Sequence, residues 1–350
     1  MAKYRIALVA VVLLATACGV VSGPQDGEAQ TIRLVTHDSF YVSDGIIASF
    51  EEATGHTVEL LQVGDAGTMV NQAVLSKDNP IADVMFGIDN TFLGRALDER
   101  LFLEYQSPGL DSVPDELELD FRVTPIDFGD VCLNFDIAGL AGRGIVPPSS
   151  LSDLTLDRYK DLLVVEHPGT SSPGLAFMIA TIVEFGEDGA YSWLDYWSDL
   201  ANNGVQVATG WEEAYYGSFS GGAGEGDRPL VVSYASSPPA EVIFADPPTD
   251  TAPTGVVEAG CFRQIEFAGI LAGTEVEGAA QELIDFMLGL EFQEDIPLSM
   301  FVFPANENAA LPSEFVDHTT IPSDPAQLPT VVIDANRSRW IEEWVEVMTG

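Results

Sequence analysis

The chain has 350 residues, 46% of them hydrophobic, with 55 acidic side chains against 14 basic ones and a formal net charge of −41. That length supplies ample core for one large domain or two of ordinary size, and the charge excludes nucleic acid as a partner, because nothing here can neutralise a phosphate backbone. The acid is spread along the chain instead of gathered in a tail, which reads as a solvating surface and says little about a site.

Lys3 and Arg5 precede an apolar run over residues 6–14, followed by Ala15, Thr16, Ala17 and Cys18. This is the layout of an export signal over residues 1–17, with an apolar run too short to span a bilayer. Cys18, directly after small residues, is expected to be lipidated and to anchor the mature chain to a membrane, although Ala15 stands where such signals usually carry Leu or Val. Residues 18–30 read as a polar tether. An exported protein, periplasmic or at the cell surface, is therefore expected. In an oxidising compartment Cys132 and Cys261 are expected to form a disulfide; two buried free thiols are the alternative.

Beyond the tether, strands and helices alternate. Residues 31–37 read as a buried strand, 44–55 as a helix ending at Gly55, 57–63 as a strand, 66–77 as a helix and 82–88 as a third strand. This order predicts an α/β sheet covered by helices. At 124–136 the rhythm changes to a longer extended segment. A second set follows: a strand at 162–167, a helix after Pro173, an aromatic helix at 190–201, a strand near 205–209, then 211–219 and 229–235. A further extended piece at 260–271 mirrors the first, and amphipathic helices at 279–293 and 338–348 close the chain. Two α/β sets joined by two extended crossings predict two lobes with a hinge and a cleft. The expected division is 31–127 plus 265–350 for the first lobe and 128–264 for the second.

Candidate residues recur at one place in this scheme, just beyond the carboxyl ends of strands, where open α/β sheets bind ligands. Asp65 and Ala66 follow the second strand, Asp89 and Asn90 the third, Ser171 and Ser172 the first strand of the second set, and residues 234–238 the strand at 229–233. Thr170, Ser171 and Ser172 before Pro173 also read as a helix cap, so the same hydroxyls are expected both to cap and to grip a ligand. Trp211 and Tyr215 stand four apart, on one face if helical, and Tyr234 sits beside Ser236 and Ser237. Flat rings with hydroxyls suit a heteroaromatic ligand carrying positive charge.

Catalytic machinery is not visible. The chain lacks a G-x-S-x-G elbow, an H-E-x-x-H pair and a C-x-x-C pair. His37, His56, His167 and His318 have no metal-ligand spacing, although His37 follows a strand and is placed to face the cleft. No cofactor is expected, and an enzyme is disfavoured.

The segments HDSF (37–40), ADVMFGIDN (82–90), TSSPGL (170–175), GWEEAY (210–215), VVSYASSP (231–238) and FPAN (303–306) resemble, in order, those of the thiamine-binding periplasmic proteins, the solute receptors of thiamine ABC importers. The resemblance runs from Thr31 to the C-terminal helix. It implies a two-lobed type II binding-protein fold closing on thiamine, its monophosphate or its diphosphate, and delivery of that ligand by a monomer to a membrane permease. It assigns ligand contacts to Asp65, Ala66, Ser171, Ser172, Trp211, Tyr234, Ala235, Ser236, Ser237 and Pro238. His37, Asp89, Tyr215 and Phe301 join them on weaker grounds, since the family often has tyrosine at His37 and tryptophan at Phe301. The resemblance puts the thiazolium against Trp211 and the aminopyrimidine near Asp65. The rival readings are a ferric-ion receptor of the same fold using Tyr215 and Tyr216, and a polyamine receptor drawn to acids and aromatics.

Overall fold

The computed structural model describes residues 29–350. The export signal (1–17), Cys18 and all but the last two residues of the tether (18–30) lie outside the described residues. The first α/β set comprises β1 (Thr31–Thr36), α1 (Ile46–Thr54), β2 (Thr57–Gln62), α2 (Ala66–Leu75), β3 (Val84–Asp89) and α3 (Leu93–Asp98). β4 (Thr124–Asp136) and α4 (Ile137–Gly142) lead to the second set. This contains β5 (Leu163–Glu166), α5 (Ser172–Phe185), α6 (Trp193–Asn202), β6 (Gln206–Ala208), a π-helical turn (Glu213–Ser218), β7 (Leu230–Tyr234) and α7 (Pro238–Ile243). The return crossing is β8 (Thr254–Ile270), followed by α8 (Glu277–Leu288), α9 (Leu290–Ser299), β9 (Phe303–Pro304), α10 (Ser313–Val316) and α11 (Thr330–Thr349).

Local signals explain several of these boundaries. α1 stops at Gly55, whose φ of 78° suits the left-handed cap and whose N–H reaches the Glu51 carbonyl. α6 begins with a capping box in which Ser192 and Asp195 bond each other's backbone. β3 is buried at every position, as a strand covered on both faces must be. α5 is apolar nearly all round because it is wedged between the sheet and α6, not laid on the surface.

Among the described residues one mixed sheet runs in the order β2-β1-β3-β8-β4-β7-β5-β6, with β9 pairing β4. β1, β2 and β3 are mutually parallel, as are β5, β6 and β7; β8 and β4 lie between the two groups and pair antiparallel with their neighbours. The two crossing strands are thus the spine of the molecule. Their register shifts by one residue between Pro125 and Asp127 and by more near the middle, where Val131 faces Phe262 but Leu133 faces Val257. Cys132 and Cys261 sit at this irregularity, bonded to each other, so the covalent link lies where the sheet passes from one half to the other. β8 is longer than the predicted extended segment, beginning at Thr254.

The C-terminal helix ties the halves from behind. In α11, Arg337 lies over the Phe92 ring at 5.2 Å, beside the first set. Trp344 meets Trp197 at 5.4 Å and His167 at 5.1 Å, both in the second set. The predicted first lobe therefore includes a helix that packs against α6 as well as α3.

Candidate functional site

A cavity of about 410 Å³ opens between the two sets, within the roughly 300–1,000 Å³ usual for small-molecule sites. His37 and Asp38 enter its wall from the end of β1, Asp65 and Ala66 from the end of β2, and Ser172 from the start of α5. Trp211 enters after β6, while Tyr234 and Ser237 come from the end of β7 and the turn into α7. The loops at the carboxyl ends of the parallel strands do converge, because the two crossings turn both sets' strand ends toward one cleft.

The aromatic wall is built on the i, i+4 pair. Trp211 stacks on Tyr215 at 4.9 Å and 20°, and its indole N–H donates to Ser233 Oγ at 2.9 Å. That bond fixes the ring plane from behind. Phe301 lines the opposite side with φ 57°, a left-handed conformation rare for a bulky residue. It meets Phe244, of the other half, edge to face at 5.7 Å across the mouth.

A row of acids runs behind the wall, and Glu266 alone of it reaches the cavity. Glu266 on β8 is directly opposite both Asp89 on β3 and Asp127 on β4, so three carboxyl groups lie in one row across the central strands. Asp127 is buried with neither oxygen bonded; burial and the nearby Glu266 push its carboxyl well up. Glu266 itself meets His37 Nε2 at 3.4 Å and accepts from Gln264 Nε2 at 2.9 Å. Gln264 in turn donates to the Tyr234 hydroxyl at 3.0 Å. Burial alone would lower the His37 pKa, but Glu266 together with Asp65 and Asp38 outweighs it and the net shift is upward. His37 also explains Gly87, whose φ is 93° and where a Cβ would run into the imidazole.

Asp65 links the two halves. Its Oδ1 accepts from Ala66 N at 2.6 Å and from Ser172 N at 3.3 Å, and its Oδ2 from Trp211 N at 3.0 Å. Beside it Thr68 N donates to Thr170 O at 3.2 Å, and Ser39 Oγ to Glu212 Oε1 at 3.0 Å. The close approach leaves no room at Gly67, where a Cβ would stand 2.7 Å from the Thr170 backbone. These contacts correct the capping expectation for Ser171 and Ser172. Neither hydroxyl finds a hydrogen-bond partner, and the start of α5 is capped from outside by Asp65.

Of the predicted contacts, His37, Asp65, Ala66, Ser172, Trp211, Tyr215, Tyr234, Ser237 and Phe301 line the cavity. Asp89, Ser171, Ala235, Ser236 and Pro238 are buried behind it. The Asp89 Oδ1 accepts from Thr91 N and Oγ1 at 2.6 Å each and from Phe92 N, holding the turn after β3. Sequence reasoning missed Tyr41, Gln62, Glu212, Phe244 and Glu266 on the wall. None of them carried a signal of its own in the sequence.

The Tyr215–Tyr216 pair is not arranged for iron. Tyr215 is buried, and its hydroxyl is bonded to Glu241 at 2.8 Å. Burial and that carboxylate push the phenol well above its ordinary range. Among the described residues no group of three or more His, Cys, Asp or Glu could hold a metal ion.

The sequence pattern described as bacterial extracellular solute-binding protein matches residues 79–322. The chain belongs to this family. This solute-binding protein is 28% identical over 318 residues to the thiamine-binding periplasmic protein of Escherichia coli (strain K12), covering 89% of the chain and 92% of the relative. A solved periplasmic thiamin binding protein matches with a TM-score of 0.80 and 25% identity, over 91% of this chain and 96% of that one. The ferric binding protein from Campylobacter jejuni matches over 90% and 99% with a TM-score of 0.70 and 18% identity, and so shares the fold. The two-lobed architecture with a cleft between the lobes is thus the family's own. Among the described residues, no helix of this solute-binding protein is long and apolar enough to cross a membrane.

The buried acids make a pH prediction. Burial pushes Asp89 up to about 6 from its ordinary 3.8, against the opposing effect of the hydrogen bonds from Thr91. The folded protein then holds a proton that the unfolded chain has released, so stability falls as pH rises through the window from about 3.8 to about 6. We expect the thermal midpoint to be higher at pH 5 than at pH 7, with Asp89 alone contributing ~1 kcal/mol to that difference. Asp89→Asn is expected to flatten this dependence. A midpoint that drops steadily on acidification from pH 7 to 5 would contradict it.

Proposed function

We propose that this protein is an extracytoplasmic receptor that captures thiamine or its phosphate esters and delivers the ligand to the membrane permease of an ABC importer. It would work as an exported monomer, tethered by lipid on Cys18, and its action is capture, not catalysis. The observation that carries the reading is the cleft itself. A flat wall of Trp211 backed by Tyr215 faces a wall whose charged groups are acids, with His37 paired to one of them. A flat heteroaromatic cation such as thiazolium gains from both, since cation–π contact contributes ~0.5–2 kcal/mol per ring. The thiamine-binding relatives at comparable length support the same ligand class.

Two adjustments to the expected pose follow from the geometry. Both Asp65 oxygens are engaged by backbone N–H groups, so Glu212 and Glu266 are the better partners for the aminopyrimidine and the positive charge. The contacts between the halves at Asp65, Ser39 and Thr170 correspond to a closed cleft, the form a permease would receive. The division into lobes at 31–127 plus 265–350 and 128–264 fits this role, with α11 bridging behind the hinge.

The test is calorimetric titration of the mature, unlipidated protein, freed of bound ligand, with thiamine, ferric citrate and spermidine. One-to-one submicromolar binding of thiamine with quenching of tryptophan fluorescence is expected. Binding of ferric citrate or spermidine with silence toward thiamine would overturn the reading.

A further inference from the structure

We propose that capture of the cation is coupled to loss of a proton from His37, so that this residue sets the pH range over which the cleft fills; the proposal rests on the thiamine reading above. Among the described residues His37 is the one basic side chain on the cavity wall. A base is out of place there, because its charged form repels the ligand that the rest of the wall attracts. It is nevertheless built in. The ring packs against Phe86 at 5.8 Å and over Gly87, where a Cβ would collide with it. Its buried Nε2 has no hydrogen-bond partner and faces Glu266 Oε2 at 3.4 Å.

Among the described residues the charged groups facing that ring are all acids. Glu266 faces it from β8, Asp65 from the end of β2, Asp38 from its own loop and Glu212 from the loop after β6. β3 contributes Phe86 and Gly87 to the contact, while Asp89 on β3 and Asp127 on β4 lie opposite Glu266 behind the wall. These acids favour the imidazolium, in keeping with the raised His37 pKa. Glu266 is then spent on His37. A cation entering the cleft brings a second positive charge to the same carboxylates, and the imidazolium gives its proton to the solvent. Neutral His37 remains, and Glu266 is left to counter the ligand. Two like charges ~8 Å apart disfavour each other about 30-fold at an effective dielectric constant of ~20. Affinity therefore rises with pH as His37 deprotonates, above its ordinary 6.5.

The test is calorimetric titration of the intact mature protein with thiamine at about pH 6 and about pH 8.5. Alongside it runs the neutral analogue in which carbon replaces the thiazolium nitrogen; it keeps the aminopyrimidine, so titration of that ring is common to both ligands. Wild-type protein is expected to bind thiamine about 10- to 30-fold more tightly at the higher pH. It should also release a proton on binding near the lower pH, read from two buffers of unlike ionisation enthalpy. The neutral analogue should change by less than about threefold. His37→Gln, which keeps a polar side chain but cannot gain charge, should lose both the pH dependence and the proton release. A merely structural His37 would weaken thiamine at both pH values alike and leave the ratio unchanged. An undiminished ratio in that variant, or an equal one for the neutral analogue, assigns the effect to other groups and overturns the proposal. Equal affinity of wild-type protein at the two pH values overturns it too, while leaving the receptor reading intact. Failure of thiamine to bind at either pH overturns that reading and this one with it. Where the variant does not fold, NMR of the chain's four histidines decides: one ring must titrate in the free protein and at lower pH in the complex, and its absence overturns the proposal.

Discussion

Replacing Trp211 with alanine is expected to weaken thiamine capture by roughly 30- to 5,000-fold. That range combines a cation–π contact of ~0.5–2 kcal/mol with the loss of one large apolar face, ~1.5–3 kcal/mol. The ring is fixed in place: Tyr215 supports one face at 4.9 Å, and Ser233 fixes its N–H at 2.9 Å. Trp211→Phe should keep the stacking and lose only that hydrogen bond, costing about tenfold or less. Titration calorimetry reads both. An alanine variant with unaltered affinity would mean that the ligand lies elsewhere in the cleft, against Phe301 and Phe244.

The second large effect concerns stability. The Cys132–Cys261 bond closes a loop of sequence separation 129, and cross-links over loops of that order stabilise by ~2–5 kcal/mol. It also pins β4 to β8 at the one place where their register slips by several residues. Cys132→Ala with Cys261→Ala, or reduction with a small thiol, is expected to lower the thermal midpoint by roughly 5–15 °C. Ligand affinity should fall less than stability does, because neither cysteine reaches the cavity wall. An unchanged midpoint in the double variant would remove the bridge from the forces that hold the hinge.

How far the sequence could be read differs from residue to residue. The i, i+4 spacing of Trp211 and Tyr215 already placed two rings on one face, and the structure stacks them even though the segment is a π-helical turn. The start of α5 went the other way. Ser171 and Ser172 before Pro173 look like a local cap, yet the carboxylate that caps the helix is Asp65, 107 residues away. Local pattern cannot report a partner supplied by another element. Glu266 was hidden for a related reason. In a chain with 55 acidic residues one more carboxylate carries no information until the register of β8 puts it beside Asp89, Asp127 and His37.

Hydrophobic period, turn chemistry and simple counting were enough for the order of strands and helices, the two long crossings, the cysteine pair and the position of candidate loops beyond strand ends. All of these are short-range properties of the chain. Three things emerged only on folding: which loops meet, that a row of carboxyl groups crosses the central strands with Glu266 at the cavity wall, and that Asp65 accepts from backbone donors contributed by both halves. They depend on register and on how the crossing strands bring distant segments together. Burial then changes what each group is: it pushes the Asp127 carboxyl and the Tyr215 phenol well above their ordinary ranges.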